Sequence, residues 1–332
     1  MNYRPLGRTG LKVTPLCLGT MNFGPRTSEA DSIAIIDRAL NAGINFIDTA
    51  NFYGQPLNEG QGQGTTEIIV GKALTGKRDR VILATKFFAT MDRDDPNARG
   101  GSRYNVIKAC EASLRRLQTD YIDLYQMHRP DAEVPVDETL RALDDLIRDG
   151  KVRYIGTSSF AGWQLVESLW ESERYGLNRF VSEQPRYSLM DRRIESEIVP
   201  AAQKYGLAIL SYSPIGGGIL AGKYRQNEPF PADSRAVDDA WGQWATSFLS
   251  DQVYDLVDVV RGLAEDHGCT VSQIALAWVL RQPGVTSAII GPRTLAHLED
   301  NLGALNVQFD EEALNRLDKA SLPGGALFSP RS

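Results

Sequence analysis

The chain has 332 residues, of which 42% are hydrophobic, and a formal net charge of −6. This length and apolar fraction are enough for a large core in one domain, residues 1–332, and the acidic balance disfavours a nucleic-acid partner. No apolar run reaches the roughly eighteen residues of a membrane-spanning helix, and residues 1–5 do not resemble a signal peptide. We therefore expect a soluble, cytoplasmic protein with no membrane partner.

Cysteine and histidine usage argues against a disulfide scaffold and against a metal site. The three cysteines are scattered and form no CxxC pair, and the three histidines form no HExxH motif. Structural zinc sites and disulfide frameworks both need such clustered ligands. We expect neither, and we expect Cys17, which lies in an apolar run, to be a buried thiol.

Short apolar runs alternate with amphipathic segments along the chain. Residues 3–13 predict a β-hairpin that covers the N-terminal mouth of the fold. The first helix is predicted to begin at Ser28, whose capping partner is Asp31, and to end at Gly43. Eight runs predict strands, at 16–19, 45–48, 81–86, 121–128, 152–158, 180–184, 207–212 and 286–290.

Eight strand–helix units predict an α/β fold of the (β/α)8 TIM-barrel type. A doubly wound open sheet is the alternative, although it usually has fewer repeats. Residues 216–221 also fit a loose G-x-G-x-x-A Rossmann fingerprint, but no early βαβ unit precedes them. Two long connections, 54–64 and 216–250, leave the carboxyl ends of strands, and we expect both to face the functional site.

Polar residues close the predicted strands at Asp48, Lys86 and His128, and Tyr53 follows Asp48 by five residues. In a barrel, the carboxyl ends of all strands meet at one rim. Burying an unpaired ammonium is costly, so we expect Lys86 to pair with Asp48 on the neighbouring strand. A charged Lys86 would lower the pKa of the Tyr53 phenol and make it a general acid.

His128, as a neutral donor, would orient a carbonyl and stabilise charge that develops on its oxygen. Together with Tyr53, Lys86 and Asp48 it suits the protonation of a carbonyl oxygen while a hydride reaches the carbon, and a nicotinamide must supply that hydride. Each residue alone also has an ordinary structural interpretation. Asp48 could cap a loop and Tyr53 could be a half-buried loop aromatic, while Lys86 could form a rim ion pair with Asp48 and His128 could be a core histidine. The four on successive strands indicate a catalytic site.

At these positions the sequence resembles the aldo-keto reductase family. The family pattern GxxxxDTAxxYG stands at 43–54, its strand-three lysine stands in 83–86, and its strand-four histidine stands in 120–128. The resemblance covers nearly the whole chain, and residues 19–24 look most like the bacterial and potassium-channel β-subunit branch. It implies a catalytic tetrad in which Tyr53 is the acid and Lys86 and Asp48 tune its pKa. The fourth member, His128, orients the carbonyl.

The resemblance also implies NADPH/NADP+ as the cofactor. Ser158, Ser159 and Gln184 would hold the nicotinamide carboxamide, with Ser159 where the family usually has asparagine, and Tyr212 would stack beneath the ring. The residues implied at the pyrophosphate are Ser213, Pro214, Ile215, Gly216, Gly218 and Lys223. Those implied at the adenosine phosphate and adenine are Gly291, Arg293, Thr294, His297, Asp300 and Asn301.

Arg293 with Thr294 at a helix N-terminus would hold a 2′-phosphate, which favours NADPH over NADH. His297 stands where the related branch usually has glutamine.

The partner is expected to be a small-molecule carbonyl compound. The predicted substrate residues are mostly apolar, which suits an apolar aldehyde or ketone, although loop packing explains any one of them equally well. They are Met21, Phe23, Phe52, Phe87 and Arg129, with Phe88 and Trp241 or Trp244 nearby. Two other functions are weighed: a nicotinamide-binding regulatory subunit with little turnover, and a lyase or isomerase in which Lys86 forms a Schiff base.

Overall fold

A closed barrel of eight parallel strands forms the centre of the computed structural model, which describes residues 2–54, 64–232, 234–237 and 242–328. An antiparallel hairpin, β1 (Arg4–Pro5) and β2 (Lys12–Val13), precedes the barrel. Around the barrel the strands follow chain order, and the last pairs with the first. They are β3 (Leu16–Gly19), β4 (Phe46–Asp48), β5 (Ile82–Phe87), β6 (Ile122–Met127), β7 (Val152–Ser158), β8 (Phe180–Gln184), β9 (Ala208–Ser211) and β10 (Val285–Ile290).

Helices surround this barrel, and the predicted (β/α)8 fold with its N-terminal hairpin is confirmed. The first helix also begins as predicted, because the Ser28 side chain accepts a hydrogen bond from the Asp31 N–H. The helices are α1 (Glu29–Asn41), α2 (Thr65–Leu74), α3 (Arg103–Leu117), α4 (Val136–Arg148), α5 (Gly162–Tyr175), α6 (Ile198–Tyr205), α7 (Gly242–Thr246), α8 (Asp251–Asp266), α9 (Val271–Arg281), α10 (Leu295–Gly303) and α11 (Glu311–Ala320).

The interior of the barrel has an apolar floor and a polar upper layer. Strand side chains alternate between the inside and the outside, so residues two apart share a face. Leu6 and Val13 of the hairpin pack into the floor, and the Arg4 guanidinium fastens the hairpin by donating to the carbonyls of Leu280 and Val285. The floor residues from the strands include Cys17, Phe46, Ala84, Leu124, Ala208 and Leu210. The polar layer includes Asp48, Lys86, Gln126, Ser158 and Gln184, all buried.

In the described part of the chain, no helix is both long enough and apolar enough to cross a membrane. Within the same residues, no group of three or more His, Cys, Asp or Glu side chains is arranged to hold a metal ion.

A buried carboxylate ties α2 to the barrel and to α3. Glu67 is fully buried; it accepts hydrogen bonds from Thr85 Oγ1 at 2.5 Å and from Arg116 Nε at 2.7 Å. The next residue along the chain from Thr85 is Lys86, so Thr85 lies on the outer face of β5. At the start of α2, the Thr66 N–H donates to the Tyr53 carbonyl at 3.4 Å. Glu67 therefore holds α2 where it meets the loop that carries Tyr53.

We predict that Glu67→Ala lowers the free energy of unfolding by about 1–3 kcal/mol, because it leaves the buried Thr85 hydroxyl without its acceptor and the partly buried Arg116 guanidinium without its carboxylate. Urea unfolding followed by circular dichroism measures the change as a lower midpoint. The control is Glu299→Ala, whose ion pair with Arg38 is about half exposed and is expected to contribute at most about 1 kcal/mol. Equal midpoints for the two variants would contradict the assignment of Glu67 as the anchor of α2.

Candidate active site

The ammonium of Lys86 is the centre of the polar layer. The side chain is fully buried, and Nζ donates to Asp48 Oδ2 at 2.5 Å, to the Thr49 carbonyl at 2.9 Å and to Tyr53 Oη at 3.3 Å. Burial alone lowers the pKa of Lys86, but the neighbouring Asp48 and Tyr53 outweigh it and raise this pKa above its ordinary value. Lys86 is therefore charged at neutral pH, with one acceptor for each of its N–H groups.

Tyr53 is a protonated phenol in this arrangement. Burial raises its pKa, the charge of Lys86 lowers it and that of Asp48 raises it, and the net direction is upward from 10.0. The expectation that Lys86 would bring the phenol below its ordinary pKa is wrong for this state, because desolvation outweighs the attraction of one cation. A pKa above 10 leaves the proton on Tyr53 at neutral pH, which is the form that a proton donor needs.

His128 is neutral beside this phenol. Burial lowers the pKa of its imidazole well below the usual range, and the charges of Lys86 and Arg129 lower it further. The ring centroid lies 5.2 Å from that of Phe52 and 6.1 Å from that of Tyr53. Its Nδ1 is buried and has no hydrogen-bond partner among the residues that the structure describes. A neutral imidazole has one N–H donor, as orientation of a carbonyl oxygen requires.

Gln126, which the sequence analysis missed, completes the layer. Its Nε2 donates to Asp48 Oδ1 at 3.0 Å, Gln184 Nε2 donates to the same oxygen at 2.9 Å, and Gln184 Nε2 also donates to Gln126 Oε1 at 3.1 Å. Both oxygens of the Asp48 carboxylate are thus occupied. The signal was available, since Gln126 precedes His128 by two residues and strand alternation places both on the inner face.

The predicted nicotinamide-side residues lie together at the ends of β7, β8 and β9. Ser158 Oγ donates to the Gln184 carbonyl at 2.9 Å, and the Ser159 N–H donates to the same carbonyl at 3.2 Å. Ser159 has a φ of +60°, in the left-handed region where asparagine is several-fold enriched. Serine here keeps the backbone turn that the family's asparagine favours. Tyr212 is next to this group, because its N–H donates to the Pro185 carbonyl at 2.9 Å.

Glu183 supports this turn from the outer face of β8, and sequence reasoning missed it too. The carboxyl is fully buried, and its Oε1 accepts from the Phe160 N–H at 3.1 Å. Thr157 Oγ1 lies 2.5 Å from Glu183 Oε2 and 3.2 Å from the Ser182 carbonyl. Burial raises the pKa of Glu183 to about 8. Thr157 Oγ1 donates to Glu183 Oε2, so the carboxyl has a hydrogen-bond donor at each of its two oxygens.

The predicted pyrophosphate loop follows β9. Gly216, Gly217 and Gly218 have φ values of +59°, +69° and +103°, which L side chains rarely adopt. A Cβ on Gly218 would meet no atom closer than Lys223 Cε, 4.0 Å away. The loop therefore has open space beside a lysine, which suits a phosphate group. Ser213 shares the left-handed backbone at +51°, and its carbonyl accepts from the Gly216 N–H at 2.9 Å, which closes a turn over Pro214 and Ile215.

The predicted adenosine-side residues cluster at the start of α10. Thr294 is the N-cap, and its Oγ1 accepts from the His297 N–H at 3.2 Å. The Thr27 hydroxyl donates to the Arg293 carbonyl at 3.3 Å, and Asn22 donates to the Gly291 carbonyl at 2.9 Å. Arg293, the cap and the helix N-terminus together can attract an anion.

Further along α10, His297 is exposed and Asn301 is buried. Asp300 accepts hydrogen bonds from Thr270 at 2.7 Å and from Gln273 at 3.0 Å, so its carboxylate is used in holding α10 to α9. Arg235, which no motif indicated, lies near the start of α10, because it donates to Asn22 Oδ1 at 3.4 Å and Asn22 bonds to the Gly291 carbonyl.

The predicted substrate residues divide into two groups. Phe23 and Phe87 are fully buried in the core between barrel and helices, so the structure does not place them in a pocket. Phe87 follows the inward-pointing Lys86 and must point outward, where its ring lies 4.8 Å from that of Tyr125. The residues at the rim are Met21, which is exposed, Phe52, which is half-buried beside His128, and Arg129, which is exposed.

Phe88 follows Phe87 with a φ of +136°, in the region where non-glycine backbone is strained. Trp241 and the side chain of Trp244 lie outside the described part of the chain.

Comparison with known proteins agrees with this geometry. The model of the aldo/keto reductase family matches residues 15–322. The chain is 42% identical to the uncharacterized oxidoreductase YrpG of Bacillus subtilis, with 98% of each chain covered. It is 35% identical to the protein tas of Escherichia coli, with 96% of this chain and 97% of the relative covered. It is 34% identical to a probable voltage-gated potassium channel subunit beta of rice, with 92% of each covered.

We predict that Glu183→Gln makes stability less dependent on pH. The folded pKa of about 8 exceeds the ordinary 4.5, so the folded state keeps a proton that the unfolded chain releases between these values. Rising pH should therefore cost the wild type up to about 1.4 kcal/mol per pH unit over this window, and the neutral amide should not suffer this loss. Thermal melts of both proteins from pH 5 to 9 measure the effect. The melting temperature of the wild type should fall with rising pH relative to that of Glu183→Gln.

The matched control is Glu265→Gln, which changes an exposed carboxylate on α8. Its melting temperature should differ from that of the wild type by the same amount at every pH. If the difference in melting temperature between Glu183→Gln and the wild type is also the same at every pH, Glu183 is ionised in the folded protein.

Proposed function

Because the chain belongs to the aldo/keto reductase family, and so to the oxidoreductases, we propose that it reduces an aldehyde or ketone to an alcohol with NADPH. The observation that carries this proposal is the position of Lys86 Nζ, which bridges Asp48 and Tyr53 beside a neutral His128. This arrangement can donate a proton to an oxygen and stabilise the charge left behind. NADPH, when bound, would supply the hydride.

Proton donation follows from the direction of the Lys86 hydrogen bond. Tyr53 Oη accepts from Lys86 Nζ, so the phenolic proton is not used in that contact and can be donated to a carbonyl oxygen. As the proton leaves, the Lys86 ammonium at 3.3 Å stabilises the phenolate. Asp48 keeps Lys86 charged, and the neutral His128 donates to the carbonyl oxygen while negative charge develops there.

The residues present suit a nicotinamide dinucleotide phosphate. Ser158, Ser159 and Gln184 offer hydroxyl and amide groups for a carboxamide, and Tyr212 offers a ring for stacking. The glycine turn beside Lys223 has open space for the pyrophosphate. For the 2′-phosphate, we propose Arg293 together with the N-terminus of α10.

A small carbonyl substrate would enter over the rim of the barrel. Of the sequence-predicted residues, Met21, Phe52 and Arg129 are the ones that lie there. Phe52 contacts the His128 ring and is the apolar neighbour of the reacting carbonyl in this proposal.

A second function deserves a test because the rice relative bears the name of a channel subunit. In that case the protein would bind NADPH and serve as a regulatory subunit with little turnover. The two functions differ in a direct measurement: NADPH bound tightly, with negligible consumption across a broad panel of carbonyl compounds, favours the regulatory subunit.

We predict that Tyr53→Phe lowers kcat for carbonyl reduction by roughly 10²–10⁴-fold, because the general acid is removed. NADPH oxidation with 4-nitrobenzaldehyde, followed by absorbance, measures the loss, and fluorescence titration should show unchanged affinity for NADPH. Tyr104→Phe is the matched control, since that ring is 57% exposed on α3. Full activity in Tyr53→Phe would refute the assignment of the acid.

We predict that Arg293→Met weakens NADPH binding by roughly 10–100-fold, the effect of losing a hydrogen bond to a charged group. NADH lacks the 2′-phosphate, so its affinity should change little. Titration of both nucleotides into both proteins measures the difference, with Arg281→Met, an exposed cation at the end of α9, as the control. Parallel losses for NADH and NADPH would place the 2′-phosphate elsewhere.

A further inference from the structure

Gln126 joins two parts of the site that sequence motifs treat separately. It lies on the inner face of β6, opposite Lys86 in the β5–β6 pairing, and its side chain is fully buried. It donates to Asp48, which belongs to the proton-donating group, and it accepts from Gln184, which belongs to the proposed carboxamide site.

The direction of each bond in this group follows from Asp48. An ionised carboxylate only accepts hydrogen bonds, so both amides must turn their NH₂ groups toward Oδ1. Gln184 then uses one N–H on Asp48 at 2.9 Å and the other on Gln126 Oε1 at 3.1 Å. What remains for a ligand is Gln184 Oε1, which is an acceptor.

Gln126 supplies the second of these two anchors. With Asp48 as its sole partner, the Gln184 amide would be held at one point and could rotate about it. With Gln126 as well, two bonds define the plane of the amide and the direction of Oε1. The main chain of Gln184 is held separately, by Ser158 Oγ at 2.9 Å.

We propose that Gln126 is a positioning residue that locks the Gln184 amide with its oxygen toward the nicotinamide and its nitrogen toward Asp48. The carboxamide NH₂ of the nicotinamide is then recognised by an oriented acceptor. This inference rests on the proposed function, because it takes a nicotinamide as the ligand beside Gln184. Gln126 itself contacts neither the cofactor nor the substrate in this role.

The test compares two nucleotides that differ in one group. NADP+ has a carboxamide, and its 3-acetylpyridine analogue has a methyl ketone, which keeps the carbonyl oxygen but has no N–H to donate. In the wild type we expect NADP+ to bind about 3–10-fold more tightly, as one neutral hydrogen bond provides. In Gln126→Leu and Gln126→Met this ratio should fall toward 1, because the acceptor is no longer held in place.

Affinities are measured by isothermal titration calorimetry and need no turnover. Gln126→Met keeps the length of the side chain, so it serves if the leucine variant does not fold, and thermal melts establish folding for each. Gln282→Leu is the matched control, since Gln282 bonds to the Trp278 carbonyl at the far end of α9, and its ratio should equal that of the wild type.

Each outcome has a distinct meaning. A ratio that falls in the Gln126 variants and holds in the control supports the inference. A wild-type ratio that persists in the folded Gln126 variants overturns it and leaves the proposed function standing. Failure of the wild type to bind either nucleotide overturns the proposed function and the inference together.

Discussion

The burial of one ammonium group organises this protein. Lys86 has no access to water, so its charge must be neutralised and its N–H groups must be accepted within the barrel. All three acceptors come from β4 and the loop after it: Asp48, the Thr49 carbonyl and the Tyr53 hydroxyl. The need to satisfy Lys86 therefore determines where that loop lies, and it leaves the Tyr53 proton available for chemistry.

The neighbours of Lys86 are buried too, and their polar groups also need hydrogen-bond partners. The second oxygen of Asp48 accepts from the Gln126 and Gln184 amides, which connects the proposed proton donor to the proposed cofactor site. On the outer face of β5, Glu67 holds Thr85 and fixes α2 beside the Tyr53 loop. Buried polar groups of this kind are stabilising only as a complete set, so each member constrains its neighbours.

Several features were predictable from the chain because they depend on local patterns. The hairpin, the order of eight strands and the Ser28 cap all follow from periodicity and turn chemistry over a few residues. Phe23 and Phe87 show where such patterns mislead, since an aromatic residue next to a site residue can point into the core. For Phe87 the period of two along β5 is decisive, and the exact strand boundaries are needed to apply it.

The class of fold, and the meeting of Asp48, Tyr53, Lys86 and His128 at one rim, were predictable from the sequence alone, because strand-end residues in a barrel converge whatever the details of packing. The raised pKa values of Tyr53 and Glu183 and the hydrogen bonds that join Gln126 to Asp48 and Gln184 emerge only in the folded protein. These depend on how completely water is excluded and on which side chains meet across strands distant in sequence. Desolvation and long-range hydrogen bonding are properties of the closed barrel, and no single segment of the chain encodes them.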